Sequence, residues 1–366
     1  MEGLLVKLLI TPVDFDCNMN CGYCYNGSAR RLCEAPNQII SEDTIYRIFD
    51  QIVPFLKSNQ LVIIWHGGEP LLAGQDFYKE ALKIQKQAVN GRYQITNCIQ
   101  TNGTLVDESW ADLFAELKIG PSVSVDGPAH LHDSIRTFIN GGSTYDLVMR
   151  GYRLFQVRDI NTGMLMVISQ NNVRHPEEIW NWVVEQQIPH FDFLPCIEPK
   201  LWRQGKQKYG LSSEEVANFF VRFFDLWFDY GDPGIKIRTF RDAIKGLIGG
   251  RVNICSWKAG CLQHISFDAS GNVFPCARYH CYPETALGNI QEQGFSGILE
   301  SKTTKWVHEG IAEGQAKCIK CKWNAICGSG CPFLKYALHG NWSEQYVHCQ
   351  PRQVLFNHVQ KRIFKQ

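Results

Sequence analysis

Hydrophobic positions follow two periods along the first part of the chain. Short β-rich runs fall at 4–11 (LLVKLLIT), 61–66 (LVIIWH), 94–100 (QITNCIQ), 122–126 (SVSVD), 163–169 (GMLMVIS) and 190–195 (HFDFLP). Such compact apolar stretches are expected of buried strands. Between them the spacing becomes helical. Ile45, Ile48, Phe49, Ile52 and Val53 predict a helix over 42–57, with Ser41 as its N-cap. Trp110, Leu113, Phe114 and Leu117 predict another over 107–118, starting at Asp107 and stopping at Gly120. A third covers 174–187. The alternation argues for an α/β fold with a parallel sheet covered by helices, either an open doubly wound sheet or a partial barrel. In both, chemistry sits at the C-terminal ends of the strands.

Residues 212–230 predict a strong helix. Ser212 and Glu215 form a capping box, and Phe219, Phe220, Phe223, Phe224 and Trp227 follow at core-facing spacing. Beyond about 235 the pattern weakens. Glycines and cysteines crowd in and long periodic stretches become few, as in a small lobe that needs inorganic staples. The expected division is therefore 1–235 as the main domain and 236–366 as a cysteine-rich lobe closed by a charged C-terminal helix.

Composition narrows the class. Of the 366 residues, 45% are hydrophobic and 20% charged, which excludes a disordered or fibrous chain. A net charge of +1 provides no general footprint for nucleic acid or an anionic membrane. The opening MEGLLVKLLI carries Glu2 and Lys7 and lacks a cleavage site, so it reads as a strand and not a signal peptide. No apolar run is long enough to cross a bilayer. The cytoplasm is the default compartment, where abundant cysteine points to metal or catalysis before disulfides.

Of the 15 cysteines, Cys17, Cys21 and Cys24 stand in CNMNCGYC, in the loop after the first strand. Three thiolates around one centre leave a metal position open, as a reactive centre requires. A zinc knuckle would want a fourth ligand, and the local candidate is Cys33. The spacing, with Tyr23 before the last cysteine, resembles the radical S-adenosylmethionine (SAM) superfamily. That resemblance implies a partial (β/α)6 parallel barrel. It also implies a [4Fe–4S] cluster on the triad whose open iron holds the amino and carboxylate groups of SAM. Reductive cleavage then gives a 5′-deoxyadenosyl radical that takes a hydrogen from the substrate, while the protein positions and shields it.

Later strands add to the picture. Trp65-His66-Gly67-Gly68-Glu69-Pro70 follows the second strand. The glycines can open backbone polar groups to a ligand, and Glu69 can accept from an ammonium; alone, the segment is also an ordinary turn. Its GGEP is similar to the family segment that holds the SAM amino group. By the same resemblance Tyr23, Gly67, Gly68, Ser124 and Arg136 match SAM contacts, and Ile197 an apolar adenine contact. Gln100-Thr101-Asn102-Gly103 either faces substrate or is simply an Asn-Gly turn.

Further along, Cys261 is followed by Gly271 and Cys276, then by Cys318, Cys321, Cys327, Cys331 and Cys349, with Cys255 just upstream. CxxC and CxxxC pairs also build structural zinc sites. The order and gaps resemble the SPASM extension of radical SAM enzymes, which holds two auxiliary [4Fe–4S] clusters. The resemblance implies Cys255, Cys261, Cys276 and Cys331 on the first and Cys318, Cys321, Cys327 and Cys349 on the second. Cys33, Cys98, Cys196 and Cys281 are left over, and read most simply as small buried apolar residues. An electron donor of flavodoxin or ferredoxin type is implied as well.

Within the family the chain resembles the anaerobic sulfatase-maturing enzymes and the maturases of ribosomally made peptides. In the former an aspartate that accepts a proton follows the equivalent of Cys276. Here Ala277 stands there, followed by Arg278, Tyr279 and His280. Alanine cannot accept a proton, which leaves Tyr279 or His280 to substitute, with Arg278 a third candidate. The expectation is therefore a peptide maturase that begins with hydrogen abstraction and ends in a cyclophane or thioether crosslink or a backbone excision. Its partners would be a precursor peptide and, since the triad starts at 17, either a separate leader-recognition protein or leader binding by the core itself. The alternatives are oxidation of Ser or Cys to formylglycine, or electron transfer without catalysis.

Overall fold

The structure is a computed structural model that describes residues 7–27, 38–56, 59–198, 209–261 and 264–364. It divides into two compact units. The first comprises Met1–Ser124, Phe138–Thr162 and Cys261–Glu309; the second comprises Val125–Thr137, Gly163–Gly260 and Gly310–Gln366.

In the first unit, strands β1 (Lys7–Ile10), β2 (Gln60–Trp65), β3 (Gln94–Thr101) and β4 (Gly120–Ser124) pair in parallel in chain order. All four coincide with expected runs, although residues 4–6 of the first lie outside the described residues. β8 (His264–Phe267) adds in parallel to the other edge of β1, with Lys7 opposite His264, and β9 (Asn272–Phe274) and β10 (Gly288–Asn289) continue antiparallel. Helix α1 (Glu42–Ile52) is capped by Ser41, whose hydroxyl accepts from Thr44 N at 3.1 Å. It stops five residues earlier than the periodicity predicts. Pro54 has no N–H to continue the ladder, so a 3₁₀ turn, Val53–Phe55, follows instead. Helices α2 (Gln75–Val89), α3 (Glu108–Leu117) and α4 (Tyr145–Val157) complete the cover. Asp107 caps α3, accepting from Trp110 N at 2.9 Å.

The second unit carries β5 (Gly163–Ile168), β6 (His190–Pro195) and β7 (Lys236–Ile237), again parallel. Helix α5 (Pro176–Glu185) begins on a proline, where the missing N–H costs nothing. Helix α6 (Ser213–Tyr230) carries the capping box of Ser212 and Glu215 and presents Phe219, Phe220, Phe223 and Phe224 to the core. They meet Phe193 of β6 and Phe240 of α7 (Arg238–Leu247), mostly edge to face. The C-terminal helix α8 (Cys349–Phe364) lies along α6, tied by His358 Nε2 to Asp225 Oδ1 at 2.7 Å. Among the described residues no helix is long and apolar enough to cross a membrane.

Candidate functional site

The triad loop leaves the C-terminal end of β1 and is stitched to the turn after β2. Gly68 N donates to Asp14 O at 2.8 Å and Glu69 N to Asp16 O at 2.7 Å, while the Asn26 amide donates to Gly67 O. Neither glycine tolerates a side chain. A Cβ on Gly67, which sits at φ +115°, would lie 2.5 Å from Asp14 O, and one on Gly68 would lie 1.8 Å from Asp16 O. The pair is thus there for close backbone approach. The N–H groups of Gly68 and Glu69 are spent on the loop.

Glu69 is wholly buried. Its carboxylate accepts from Leu71 N at 3.1 Å, Thr101 Oγ1 at 2.7 Å and Asn102 N at 2.7 Å. Burial outweighs these three donors and pushes the carboxyl up to about 7. A bound cation would reverse that shift. Cys17 Sγ accepts from Met19 N at 3.4 Å and Asn102 Nδ2 at 3.7 Å. Burial, with the Glu69 charge nearby, pushes the Cys17 thiol up to about 12, so ionising it calls for a metal. The Gln100–Gly103 segment therefore supports the site from behind: Thr101 holds Glu69, and Asn102 holds Cys17 and Asn18 (2.8 Å).

Beside the triad stand Tyr25, His66 and the 276–281 segment. His66 and Tyr25 are half-buried there. His66 Nδ1 accepts from Gly67 N at 2.7 Å, and burial with the Arg278 charge lowers its imidazole to about 4. Arg278 lies 6.0 Å from the Tyr25 ring centroid. His280 is enclosed between Phe15 and Phe274, bonded through Nε2 to Ser266 Oγ at 2.9 Å, and held neutral by burial, its imidazole lowered to about 3. Tyr279 is wholly buried and Ala277 nearly so. Tyr23, Cys21 and Cys24 are half-buried on the loop. Sequence reasoning passed over His66; its place directly after a strand end was the available signal.

Ser124 ends β4 in the first unit, its hydroxyl accepting from Gln100 Nε2 at 3.0 Å. Arg136 and Ile197 belong to the second unit. Arg136 Nε donates to Asp126 Oδ2 at 2.9 Å, and the other oxygen of this wholly buried carboxylate accepts from Val167 N at 2.9 Å. Ile197 is half-buried after β6, next to buried Cys196, whose thiol burial pushes far up and out of reactive range.

Of the C-terminal cysteines, Cys261, Cys276 and buried Cys281 lie in the first unit. Cys255, Cys318, Cys321, Cys327, Cys331 and Cys349 lie in the second. Within it one quartet is gathered. Burial raises the Cys318 thiol, the charges of Cys327, Cys349 and Cys321 add to that, and Lys335 opposes it. Cys33 lies outside the described residues, and Cys98 is half-buried on β3.

The residues present fit iron–sulfur clusters. Next to quartet members in the chain, Trp323 Nε1 and both ring nitrogens of His348 are buried without a protein partner. Buried polar atoms are rarely orphaned without a missing group to explain them.

Comparison with known proteins then gives the class. Residues 14–183 match the radical SAM superfamily, and residues 255–331 match the SPASM iron-sulfur cluster-binding domain. The chain is thus a radical SAM enzyme with a SPASM extension, using SAM and [4Fe–4S] clusters.

Its particular likeness lies with one branch. It is 27% identical over 360 residues, 98% of this chain and 97% of the relative, to a cysteine-type anaerobic sulfatase-maturating enzyme of Clostridium perfringens (strain 13 / Type A). A serine-type anaerobic sulfatase-maturating enzyme of Bacteroides thetaiotaomicron is 28% identical over 348 residues, 90% of this chain and 83% of the relative. The solved structure of native anSMEcpe with bound AdoMet and Cp18Cys peptide superposes with a TM-score of 0.87 at 27% identity, covering 98% of both chains. These findings overturn the expected crosslinking or excising maturase of ribosomal peptides. That expectation rested on one residue, Ala277, against a likeness that runs the length of the chain.

Proposed function

We propose that the chain is an anaerobic sulfatase-maturating enzyme, oxidising a Cys or Ser side chain of a sulfatase segment to the aldehyde of formylglycine. The observation that carries this is the end-to-end likeness to enzymes of that description, one of them solved with AdoMet and a peptide together. When bound, SAM and its cluster supply a radical able to take a hydrogen from an unactivated carbon. The chain supplies the setting. Cys17, Cys21 and Cys24 hold the cluster, with Met19 N–H and the Asn102 amide directed at the Cys17 sulfur. Glu69, kept rigid by three donors, accepts from the ammonium of SAM. Tyr23, Gly67, Gly68, Ser124, Arg136 and Ile197 belong to the same proposal as SAM-site residues. Tyr25, His66 and Arg278, gathered beside the triad, shield it from water. In the second unit Cys318, Cys321, Cys327 and Cys349 would hold an auxiliary cluster, which would supply an acceptor for the electron left on the substrate.

We also infer a domain division at about 235, since both family matches fall within its bounds. A reducing compartment such as the cytoplasm and a donor of flavodoxin or ferredoxin type suit thiolate-held clusters.

Incubation of the reduced holoenzyme with SAM and sulfatase-derived peptides, read by mass spectrometry, tests the proposal. Loss of two hydrogens at the target serine, or replacement of the cysteine CH2SH by an aldehyde, is expected. A new crosslink, or untouched peptide beside active SAM cleavage, contradicts it.

A further inference from the structure

Helix α8 starts on Cys349 and carries Arg352 and Gln353 three and four residues on, on the same face. Arg352 is buried and held from four sides. Nη1 donates to Cys327 Sγ at 3.3 Å and Nη2 to Ser256 O at 3.0 Å, and the guanidinium carbon lies 4.1 Å from the Tyr346 ring centroid and 5.6 Å from that of Trp257. None of these partners is a carboxylate. Gln353 Nε2 donates to Cys349 Sγ at 3.3 Å. A second cation, Lys335, is 3% exposed. The charges that face it are Cys318, Cys327, Cys349 and Lys317, again without a carboxylate. Two buried cations lacking an acidic partner are costly unless an anion stands beside them. The unpartnered nitrogens belong to Trp323, which lies between Cys321 and Cys327 in the chain, and His348, which precedes Cys349.

We propose that Arg352, backed by Lys335, is a positioning residue that raises the reduction potential of the cluster on Cys318, Cys321, Cys327 and Cys349. This rests on the assignment of that quartet to a cluster. A [4Fe–4S] centre on four thiolates is a net anion, and reduction adds a further negative charge. Fixed positive charge and N–H donors at its sulfurs favour the reduced form and lift the potential. A cluster held there would thereby be the better acceptor for an electron from a substrate radical.

The test is a redox titration of the anaerobic full-length holoenzyme, followed by electron paramagnetic resonance, for wild type and Arg352→Gln, with iron counted in each. The expected result is unchanged iron and a tenfold fall in the reduced-to-oxidised ratio of this cluster at fixed potential, which is a 59 mV downward shift for one electron. Arg352→Lys, which keeps the charge, should recover part of it. An unchanged midpoint with unchanged iron overturns the inference. If Arg352→Gln sheds the cluster, Lys335→Met and Gln353→Leu decide in its place: a lowered midpoint in either supports it, and wild-type midpoints in both overturn it. Failure of the underlying assignment looks different. Cys327→Ala would then leave the iron count of wild type intact, before any titration.

Discussion

Gly68→Ala is the sharpest perturbation of the triad loop. The added carbon would stand 1.8 Å from Asp16 O, about 1.6 Å short of an ordinary contact, and 2.7 Å from the carbonyl carbon of Phe15. All of these are backbone atoms, so no side chain can swing aside. The loop must move away from the β2 turn, and the bonds Gly68 N to Asp14 O (2.8 Å) and Glu69 N to Asp16 O (2.7 Å) stretch or break. Overpacking of this kind costs about 1–3 kcal/mol, and each lost bond about 1 kcal/mol. Asp16 immediately precedes Cys17, so the displacement passes straight to a cluster ligand and to Glu69. A misplacement of about 1 Å at a reacting centre lowers rate roughly 100-fold. Gly297→Ala, whose new carbon meets Gln293 at an ordinary 3.4 Å, is the control. The assay is 5′-deoxyadenosine formation by dithionite-reduced protein, quantified by chromatography. Gly68→Ala should fall about 100-fold while Gly297→Ala stays at the wild-type rate. Equal rates in all three would refute the claim that this turn sets the position of the triad.

Glu69→Gln keeps the shape but removes the charge and turns one acceptor oxygen into a donor facing other donors. SAM affinity should weaken by about 10–100-fold, the worth of one charge-assisted hydrogen bond, measured by equilibrium dialysis; an unchanged affinity would remove Glu69 from the SAM site. Cys327→Ala should lower iron from roughly twelve to roughly eight per chain with SAM cleavage retained, read by iron assay and deoxyadenosine yield. Buried His280, lowered from 6.5 to about 3, binds fewer protons folded than unfolded, so the stability it contributes is present above 6.5 and lost as pH falls towards 3. Between pH 7 and 5.5 that loss is about 1 kcal/mol. The urea midpoint of His280→Gln should therefore drop less over this range than that of wild type; parallel drops would count against a neutral, enclosed His280.

Much of this was legible from residue pattern. The six parallel strands and the capped helices at Ser41, Asp107 and Ser212 follow from periodicity and cap chemistry, which are local. The triad and the SPASM array were legible because cluster ligands need fixed residue types at short spacing. Three things were not. The parallel pairing of β1 with β8 joins residues 257 apart, and no local signal encodes it. The backing roles of Asn102 and Arg352 depend on which sulfur a side chain reaches, which only the folded chain decides. The substrate class was misjudged because a single alanine outweighed a full-length resemblance. A lost carboxylate at 277 removes one proton acceptor from a chain whose likeness to its relatives runs end to end.

The central claim is that the chain brings a peptide's target side chain to the radical formed at the Cys17, Cys21 and Cys24 centre. A sulfatase-derived peptide carrying deuterium on the β-carbon of its target Cys or Ser tests it most directly. Deuterium appearing in 5′-deoxyadenosine, in step with aldehyde in the peptide, is the predicted result. Unlabelled deoxyadenosine, with the deuterium still on an unaltered residue, would contradict the account.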